Sequence, residues 1–186
     1  MNLPNLLTCS RLVLSVVFII FLFDETLLFK FIALLVFLLA SLTDYWDGRL
    51  ARSTGEITKF GKLMDPIADK ILTLSAFIGF CVLGLIPLWA VAVVMMRDVA
   101  ITFFRFCIPS KGDLQSARAS GKNKTVFQLV YIILVLMYAT LRETSFWNPA
   151  YDALILSVIY WGMLSIVAIT VWSAFRYWQE TRKAIK

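Results

Sequence analysis

The chain alternates apolar runs with short polar breaks, and the lengths of the runs predict helices that cross a membrane. Leu12–Phe23 and Phe31–Thr43 are apolar for only 12 and 13 residues, whereas a spanning helix needs roughly 20. The first run must therefore recruit Leu6–Arg11, which leaves Arg11 near the cytosolic interface. The second run must extend into the polar residues that follow it. Ala153–Phe175 is long enough alone, with 23 residues and no charge.

One apolar run allows two interpretations. Ile71–Met96 has 26 uncharged residues and predicts either one long span or two spans joined by a turn at Gly84–Pro87. Basic residues concentrate on the cytosolic side of membrane proteins. The turn places sixteen of the eighteen Lys and Arg residues on that side and leaves only Lys30 and Arg142 outside. We therefore predict an all-α membrane protein of six transmembrane helices, with both termini in the cytosol and a polar cavity open to the cytosol.

The polar breaks between these runs predict loops and a charged tail. Pro66 lies either in the first turn of the third helix or within that helix, where it would kink it. The predicted non-spanning segments are Asp24–Lys30, Ser53–Phe60, Pro109–Ser120, Thr144–Tyr151 and the basic tail Arg176–Lys186.

Composition supports the membrane assignment. The chain has 186 residues, 60% of them apolar, and a mean hydropathy of +0.81, values typical of a multi-pass membrane protein. No linker or internal repeat is apparent, so residues 1–186 are expected to form a single domain. Histidine is absent, and Cys9, Cys81 and Cys107 are isolated, which disfavours a zinc or iron site and a disulfide framework.

Four aspartates are the strongest candidates for chemistry. On helices, Asp44 and Asp47 share a face at a spacing of three residues, and Asp65 and Asp69 share one at a spacing of four. Two such helices facing each other would bring four carboxylates together, which is costly near a membrane unless cations lie among them. Oxygen ligands suit Mg²⁺, Mn²⁺ or Ca²⁺. Two such ions roughly 3.5–4 Å apart serve phosphoryl chemistry.

Small and basic residues accompany the aspartates. Gly48 lies one turn after Asp44, where a missing side chain lets a ligand approach the backbone. Arg52 follows one turn later, placed to bind phosphate oxygens. The alternative is that the acids only form ion pairs with nearby basic residues, which would require neither the glycines nor the fixed spacing. Those basic residues are Arg49, Arg52, Lys62 and Lys70.

A second group of charges is basic. Part of it reflects the ordinary cytosolic bias of Lys and Arg. Arg97 and Arg105, however, are eight residues apart and share roughly one helix face. Cations at that depth need an anion, which Asp98 supplies for one of them and a substrate phosphate could supply for the others. The group consists of Arg97, Arg105, Lys111, Arg118, Lys122 and Lys124.

The aspartate pattern resembles a known signature. Residues 44–69 read D-x2-D-G-x2-A-R-x8-G-x3-D-x3-D, which matches the CDP-alcohol phosphotransferase family at every defined position. Gly121–Thr125, Arg97–Arg105 and the segment Pro4–Arg11 resemble the bacterial members whose acceptor is sn-glycerol 3-phosphate. Asp98 departs from them, since they usually carry glutamate there.

The resemblance implies a reaction and its partners. CDP-diacylglycerol would transfer its phosphatidyl group to sn-glycerol 3-phosphate, giving phosphatidylglycerol phosphate and CMP. Membrane lipids are further expected partners, and a homodimer is expected. No nucleic-acid partner is expected. The location implied is the bacterial inner (cytoplasmic) membrane, with the active site on the cytosolic side.

The resemblance also implies roles for individual residues. Two divalent cations, Mg²⁺ or Mn²⁺, would be bound, with Asp69 as the general base. One ion would be held by Asp44, Asp47 and Asp65, and the other by Asp44, Asp65 and Asp69. Contacts with the cytidine diphosphate would come from Asn5, Thr8, Gly48, Arg52, Thr58 and Gly61. The acceptor phosphate would be bound by Arg97, Arg105, Lys122 and Lys124. Asn5 and Thr8 could equally be a helix N-cap.

Other functions compete with this interpretation. A cation transporter or channel would carry polar and charged residues through the whole membrane thickness, yet the outer halves of the predicted spans carry no charged residue. A structural membrane protein would use its acids for assembly. Within the transferase class, the other acceptors are phosphatidylglycerol (as in a cardiolipin synthase), inositol phosphate and serine. The basic group favours a small phosphorylated acceptor over serine.

Overall fold

The computed structural model describes the backbone of residues 3–54, 59–107 and 115–185. It describes the side chains of residues 9–43, 67–68, 70–102, 124–179 and 182. Within these ranges the chain is helical and contains no strand. The expected fold class, an all-α protein, is therefore confirmed.

Six α-helices and one short 3₁₀ turn make up the described backbone. The helices are α1 (Leu3–Leu22), α2 (Leu27–Thr54), α3 (Lys59–Val82), α4 (Leu88–Cys107), α5 (Gln115–Leu141) and α6 (Asp152–Ile185), with the 3₁₀ turn at Pro149–Tyr151 just before α6. α1 packs against α2 and α3, whereas α6 packs against α4 and α5.

The turn between α3 and α4 confirms that residues 71–96 form two helices. Gly84 adopts a left-handed backbone with φ of +71°, which glycine reaches at no steric cost. The N–H of Leu85 donates to the carbonyl of Phe80 at 2.9 Å, and the N–H of Gly84 donates to that of Cys81 at 3.0 Å. This pair of bonds is the Schellman motif, which satisfies the last carbonyls of a helix. α3 therefore ends here and α4 begins after Pro87.

Several predicted helix ends were wrong. The loop predicted over Pro109–Ser120 is helical from Gln115, and the basic tail Arg176–Lys186 continues α6 as far as Ile185. Both extensions contain Ala, Gln and Arg, which favour helix. The length of an apolar run reflects the thickness of the hydrocarbon core, whereas the helix that contains the run can continue beyond that core. Pro66 is the eighth residue of α3, which rules out the first-turn alternative and leaves a position within the helix.

The start of α2 also lies earlier than the predicted loop allowed, at Leu27. The backbone N–H of Thr26 donates to Asp24 Oδ1 at 2.9 Å, and the Thr26 hydroxyl donates to the same oxygen at 2.8 Å. These two bonds hold the pKa of Asp24 below its ordinary value. The Thr26 carbonyl accepts from Lys30 N at 3.1 Å, so the turn leads directly into the helix.

Aromatic and small side chains alternate in the core. The rings of Phe18 and Phe37 are fully buried, with centroids 5.5 Å apart across α1 and α2. Gly162 lets α6 approach α5, since a Cβ there would lie 2.9 Å from the ring of Tyr131. The Tyr131 hydroxyl donates to the carbonyl of Ile159 at 2.9 Å and fixes that contact. Small residues thus set the helix spacing, as is common in membrane bundles.

The surface of the bundle is apolar. Ile20, Leu88, Trp161 and many other large apolar side chains are more than half exposed, which is costly in water but ordinary against lipid. Two helical segments, Lys124–Leu141 and Pro149–Gln179, are long and apolar enough to cross a membrane. Cys9–Leu22, Leu27–Thr43 and Lys70–Val82 are shorter apolar helices. These features are those of a membrane protein.

One carboxylate ties together the end of the bundle where α5 stops and α6 starts. Asp152 Oδ1 accepts from the Trp147 indole N–H at 2.8 Å and from the Tyr138 hydroxyl at 3.1 Å. Its Oδ2 lies 3.8 Å from Arg142 Nε. We call these four residues the Asp152 cluster. At the same end, Lys30 and Glu143 form an ion pair at 2.5 Å between α2 and the loop after α5.

Candidate active site

The four motif aspartates lie on the helices that the sequence predicts. Asp44 and Asp47 are in the C-terminal half of α2, and Asp65 and Asp69 are in the N-terminal half of α3. Their side chains lie outside the described residues, so their convergence stays a prediction. Among the side chains that are described, no group of three His, Cys, Asp or Glu residues could hold a metal ion.

The predicted nucleotide contacts are also described only by their backbone. Asn5 and Thr8 lie inside α1, which begins at Leu3, so the alternative that they cap that helix was wrong. Gly48 and Arg52 are in α2, and Gly61 is in α3. Thr58 lies outside the described residues.

A buried carboxylate on α4 organises the part of the site that is described in full. The Asp98 side chain is 2% exposed. Its Oδ1 accepts a hydrogen bond from Arg97 Nη1 at 2.9 Å and another from Lys124 Nζ. Its Oδ2 accepts from Lys70 Nζ at 3.2 Å. The carboxylate thus joins α3, α4 and α5 by charge-assisted bonds, the stronger kind of hydrogen bond.

Arg97 extends this group to α6. Its Nη2 donates to the Ser173 hydroxyl at 2.6 Å. Its Nε is buried and has no hydrogen-bond partner among the described residues. We call Lys70, Arg97, Asp98, Lys124 and Ser173 the Asp98 cluster.

Positive charge is in excess in the Asp98 cluster. Three cations face one carboxylate, which leaves a formal charge of +2 among the described side chains. The Lys124 side chain is only 3% exposed and that of Arg97 is 14% exposed, so water screens them little. Buried charges are stable only when paired. The cluster is therefore suited to bind an anion with at least two negative charges.

Two further polar side chains lie one helical turn away from the cluster. Gln128 follows Lys124 by four residues on α5, and Thr170 precedes Ser173 by three on α6. Both are buried, and neither Gln128 Nε2 nor Thr170 Oγ1 has a partner in the described part of the chain. Together with Arg97 Nε, these atoms are donors that still need an acceptor.

The structure brings together two of the four residues predicted to bind an acceptor phosphate. Arg97 and Lys124 meet at the Asp98 carboxylate. Arg105 and Lys122 lie on α4 and α5, with side chains outside the described residues. Asp98 was expected to neutralise one cation, but it contacts three.

Sequence reasoning missed Lys70 and Ser173 as members of this cluster, and Gln128 and Thr170 as buried polar residues one helical turn from it. Lys70 was considered only as a partner of the aspartates, although it directly follows Asp69. The helical spacing from Lys124 to Gln128 was a usable signal. The contact between Ser173 and Arg97 had none, because it depends on how α6 is rotated.

Arg11 lies on α1, and its expected position near the cytosolic interface stays a prediction. Its side chain is completely buried, and its carbonyl accepts from the Ser15 hydroxyl at 2.9 Å. α1 contacts both α2 and α3, the helices that carry the aspartates. A fully buried arginine on this helix adds to the polar interior of the bundle.

The fold and the Asp98 cluster define an apolar helical membrane protein with buried cations gathered around one carboxylate. The model of the CDP-alcohol phosphatidyltransferase family matches residues 1–178, and the chain belongs to this family. The family expected from the aspartate motif is thereby confirmed.

Relatives of known name are similar over most of the chain. The CDP-diacylglycerol–glycerol-3-phosphate 3-phosphatidyltransferase of Bacillus subtilis is 31% identical, over 100% of this chain and 97% of its own length. The Escherichia coli K12 protein of the same name is 32% identical, over 97% of this chain and 95% of its own length. A probable phosphatidylglycerophosphate synthase of Mycobacterium tuberculosis is 39% identical, over 73% of this chain and 66% of its own length.

Proposed function

We propose that this protein transfers the phosphatidyl group of CDP-diacylglycerol to sn-glycerol 3-phosphate, giving phosphatidylglycerol phosphate and CMP. The names of the full-length relatives support this reaction. The structural observation that supports it best is the buried excess of cations around Asp98. A phosphate monoester carries up to two negative charges at neutral pH, which matches the excess of +2 in the cluster.

The position of the cluster supports one shared site for donor and acceptor. Lys70 reaches the Asp98 carboxylate at 3.2 Å, and it is the next residue after Asp69 on α3. The cations of the cluster therefore lie beside the helix segment that carries the last motif aspartate. An acceptor held by its phosphate there would present its hydroxyl toward that segment.

A divalent metal is part of the proposal, because the donor set fits one. The motif supplies only carboxylate oxygens, which suit Mg²⁺ or Mn²⁺. Asp44, Asp47 and Asp65 would hold one ion, and Asp44, Asp65 and Asp69 the second. Bound metal would neutralise the pyrophosphate charge of the donor and stabilise the CMP leaving group.

The other residues of the site would bind and orient the two substrates. Lys124 and Arg97, with Arg105 and Lys122, would hold the acceptor phosphate. Asp69 would accept the proton of the attacking hydroxyl, a role that depends on close positioning because a carboxylate is a weak base. The cytidine diphosphate would be contacted by Asn5, Thr8, Gly48, Arg52, Thr58 and Gly61.

The membrane arrangement follows from the substrates. We propose six transmembrane helices, with both termini and the site on the cytosolic side of a bacterial inner membrane. CDP-diacylglycerol keeps its acyl chains in the lipid and exposes its nucleotide at the interface, where a water-soluble acceptor can meet it. A homodimer is also proposed from the family resemblance.

A panel of acceptors tests this function. Purified protein is given CDP-diacylglycerol and either glycerol 3-phosphate, inositol phosphate, phosphatidylglycerol or serine, and CMP release is measured with Mg²⁺, with Mn²⁺ and with EDTA. We expect rapid release only with glycerol 3-phosphate, and loss of release in EDTA that added Mg²⁺ or Mn²⁺ reverses. Preference for another acceptor would contradict the proposed acceptor, and full activity in EDTA would contradict the metal.

A further inference from the structure

We infer that Asp98 is a positioning residue for the acceptor, an inference that rests on the proposed function. Its carboxylate holds Lys70, Arg97 and Lys124 in one arrangement, so that their remaining donors face the phosphate of the acceptor. Asp98 itself is an anion and does not bind that phosphate.

The two oxygens of Asp98 divide the cations between helices. Oδ1 accepts from Arg97 on α4 and from Lys124 on α5, whereas Oδ2 accepts from Lys70 on α3. Arg97 is held a second time by Ser173 on α6. One side chain therefore fixes the relative positions of cations from three helices, and a fourth helix supports it.

Without this carboxylate, the cations would not stay together. Three positive charges in a largely buried site repel one another, and lysine has a flexible four-carbon stem. Removing the carboxylate would therefore drive the ammonium groups apart or draw in a solvent anion. Either change would weaken the binding of the acceptor phosphate.

The cations keep donors to spare while bound to Asp98. An ammonium has three N–H donors, and Lys70 and Lys124 each use one on Asp98 in the described structure. Arg97 Nε is buried and has no partner within the part of the chain whose side chains are described. The carboxylate thus orders these groups and leaves them free to bind a ligand.

Kinetics of Asp98 variants test the inference. Asp98→Asn keeps the shape of the side chain but removes its charge, and Asp98→Glu restores the charge on a longer stem. We expect Asp98→Asn to raise the KM for glycerol 3-phosphate at least tenfold while the KM for CDP-diacylglycerol stays within twofold. Asp98→Glu should return the acceptor KM to within about threefold of that of the unchanged protein.

Asp152→Asn is the matched control. It removes another carboxylate that accepts several hydrogen bonds, but from the Asp152 cluster. Both KM values should stay within twofold in this variant. A merely structural Asp98 would lower the yield of folded protein or kcat and leave the acceptor KM unaffected, as in the control.

Specific outcomes would overturn the inference. These are an unchanged acceptor KM in Asp98→Asn, or equal rises in both KM values.

If Asp98→Asn does not fold, Lys70→Gln provides the test, because the Lys70 side chain is 27% exposed and tolerates change. It should raise the acceptor KM about threefold, and an unchanged value would overturn the inference. If the unchanged protein releases CMP only with another acceptor, the proposed function fails, and the KM for that acceptor still tests Asp98.

Discussion

The Asp98 and Asp152 clusters each gather several donors around one carboxylate, but they do so in different ways. Asp98 is 2% exposed and faces three cations. Asp152 is 24% exposed and accepts from two neutral donors, with one half-exposed arginine at 3.8 Å. Lys124 and Tyr138 lie fourteen residues apart on α5, so the clusters are separated by roughly 21 Å along that helix.

This difference in burial and charge supports the proposal that Asp98 belongs to a binding site, whereas Asp152 has a structural role. Neutral donors suffice to satisfy Asp152, and the charge of its cluster sums to zero with Arg142. One cation would be enough to neutralise Asp98, yet three cations contact it, and Asp98 is more buried than Asp152. Because surplus buried charge is costly, a purely structural cluster would not retain it. The surplus of cations among the described side chains therefore supports the proposal that the acceptor phosphate completes the Asp98 cluster.

Removing one cation from each cluster should give the largest contrast. Lys124→Met deletes a buried ammonium that contacts Asp98. We expect kcat/KM for glycerol 3-phosphate to fall about 100-fold, equivalent to about 2.7 kcal/mol, because a charged contact with the phosphate is lost. CMP release at varied acceptor concentrations measures this.

Arg142→Met is the corresponding change in the Asp152 cluster. The Arg142 side chain is 50% exposed, and its Nε lies 3.8 Å from the carboxylate, so the pair is worth less than about 1 kcal/mol. Kinetics should stay within twofold. Equal losses of activity in the two variants would refute the distinction between the clusters.

Trp147→Phe should have an intermediate effect, and on stability alone. It removes the indole donor that lies 2.8 Å from Asp152 and keeps an aromatic ring against Tyr138, whose centroid is 5.6 Å away. A hydrogen bond to a charged group contributes about 1.5–3 kcal/mol, so the midpoint of thermal unfolding in detergent should fall measurably. An altered acceptor KM would show instead that this end of the bundle influences the site.

Thr170→Val should have the smallest effect. The Thr170 hydroxyl is buried and has no partner in the described ranges, and valine has nearly the same shape. Removing an unsatisfied polar group is neutral or stabilising by up to about 1 kcal/mol, which thermal unfolding can detect. Loss of stability by more than that would mean that the hydroxyl has a partner, such as a buried water, and that the polar region of the Asp98 cluster extends further into the bundle.

The sequence predicted features that depend on local rules. Gly84 and Pro87 identified a turn because each restricts or frees the backbone in a known way. The positions of Arg97 and Lys124 identified a basic site because charges at membrane depth are rare. The aspartate spacing identified the family.

Features that depend on how helices are rotated could not be predicted. Lys70, Lys124 and Ser173 come from three helices, and nothing local in the chain says that they meet at Arg97 and Asp98. The start of α5 and the C-terminal end of α6 were missed for another reason. Residues that favour helix extend both helices beyond their apolar runs.

The length of α6 has a consequence for how the protein fits its bilayer. Its 34 residues make a rod roughly 51 Å long, whereas the hydrocarbon core is about 30 Å thick. A tilt large enough to hide the whole rod would exceed the usual range of 0–40°, so part of the helix must lie beyond the hydrocarbon core. Near its C-terminal end, the Arg182 guanidinium lies 5.2 Å from the centroid of the Trp178 ring. This pairing of an aromatic and a cation favours the depth of lipid head groups.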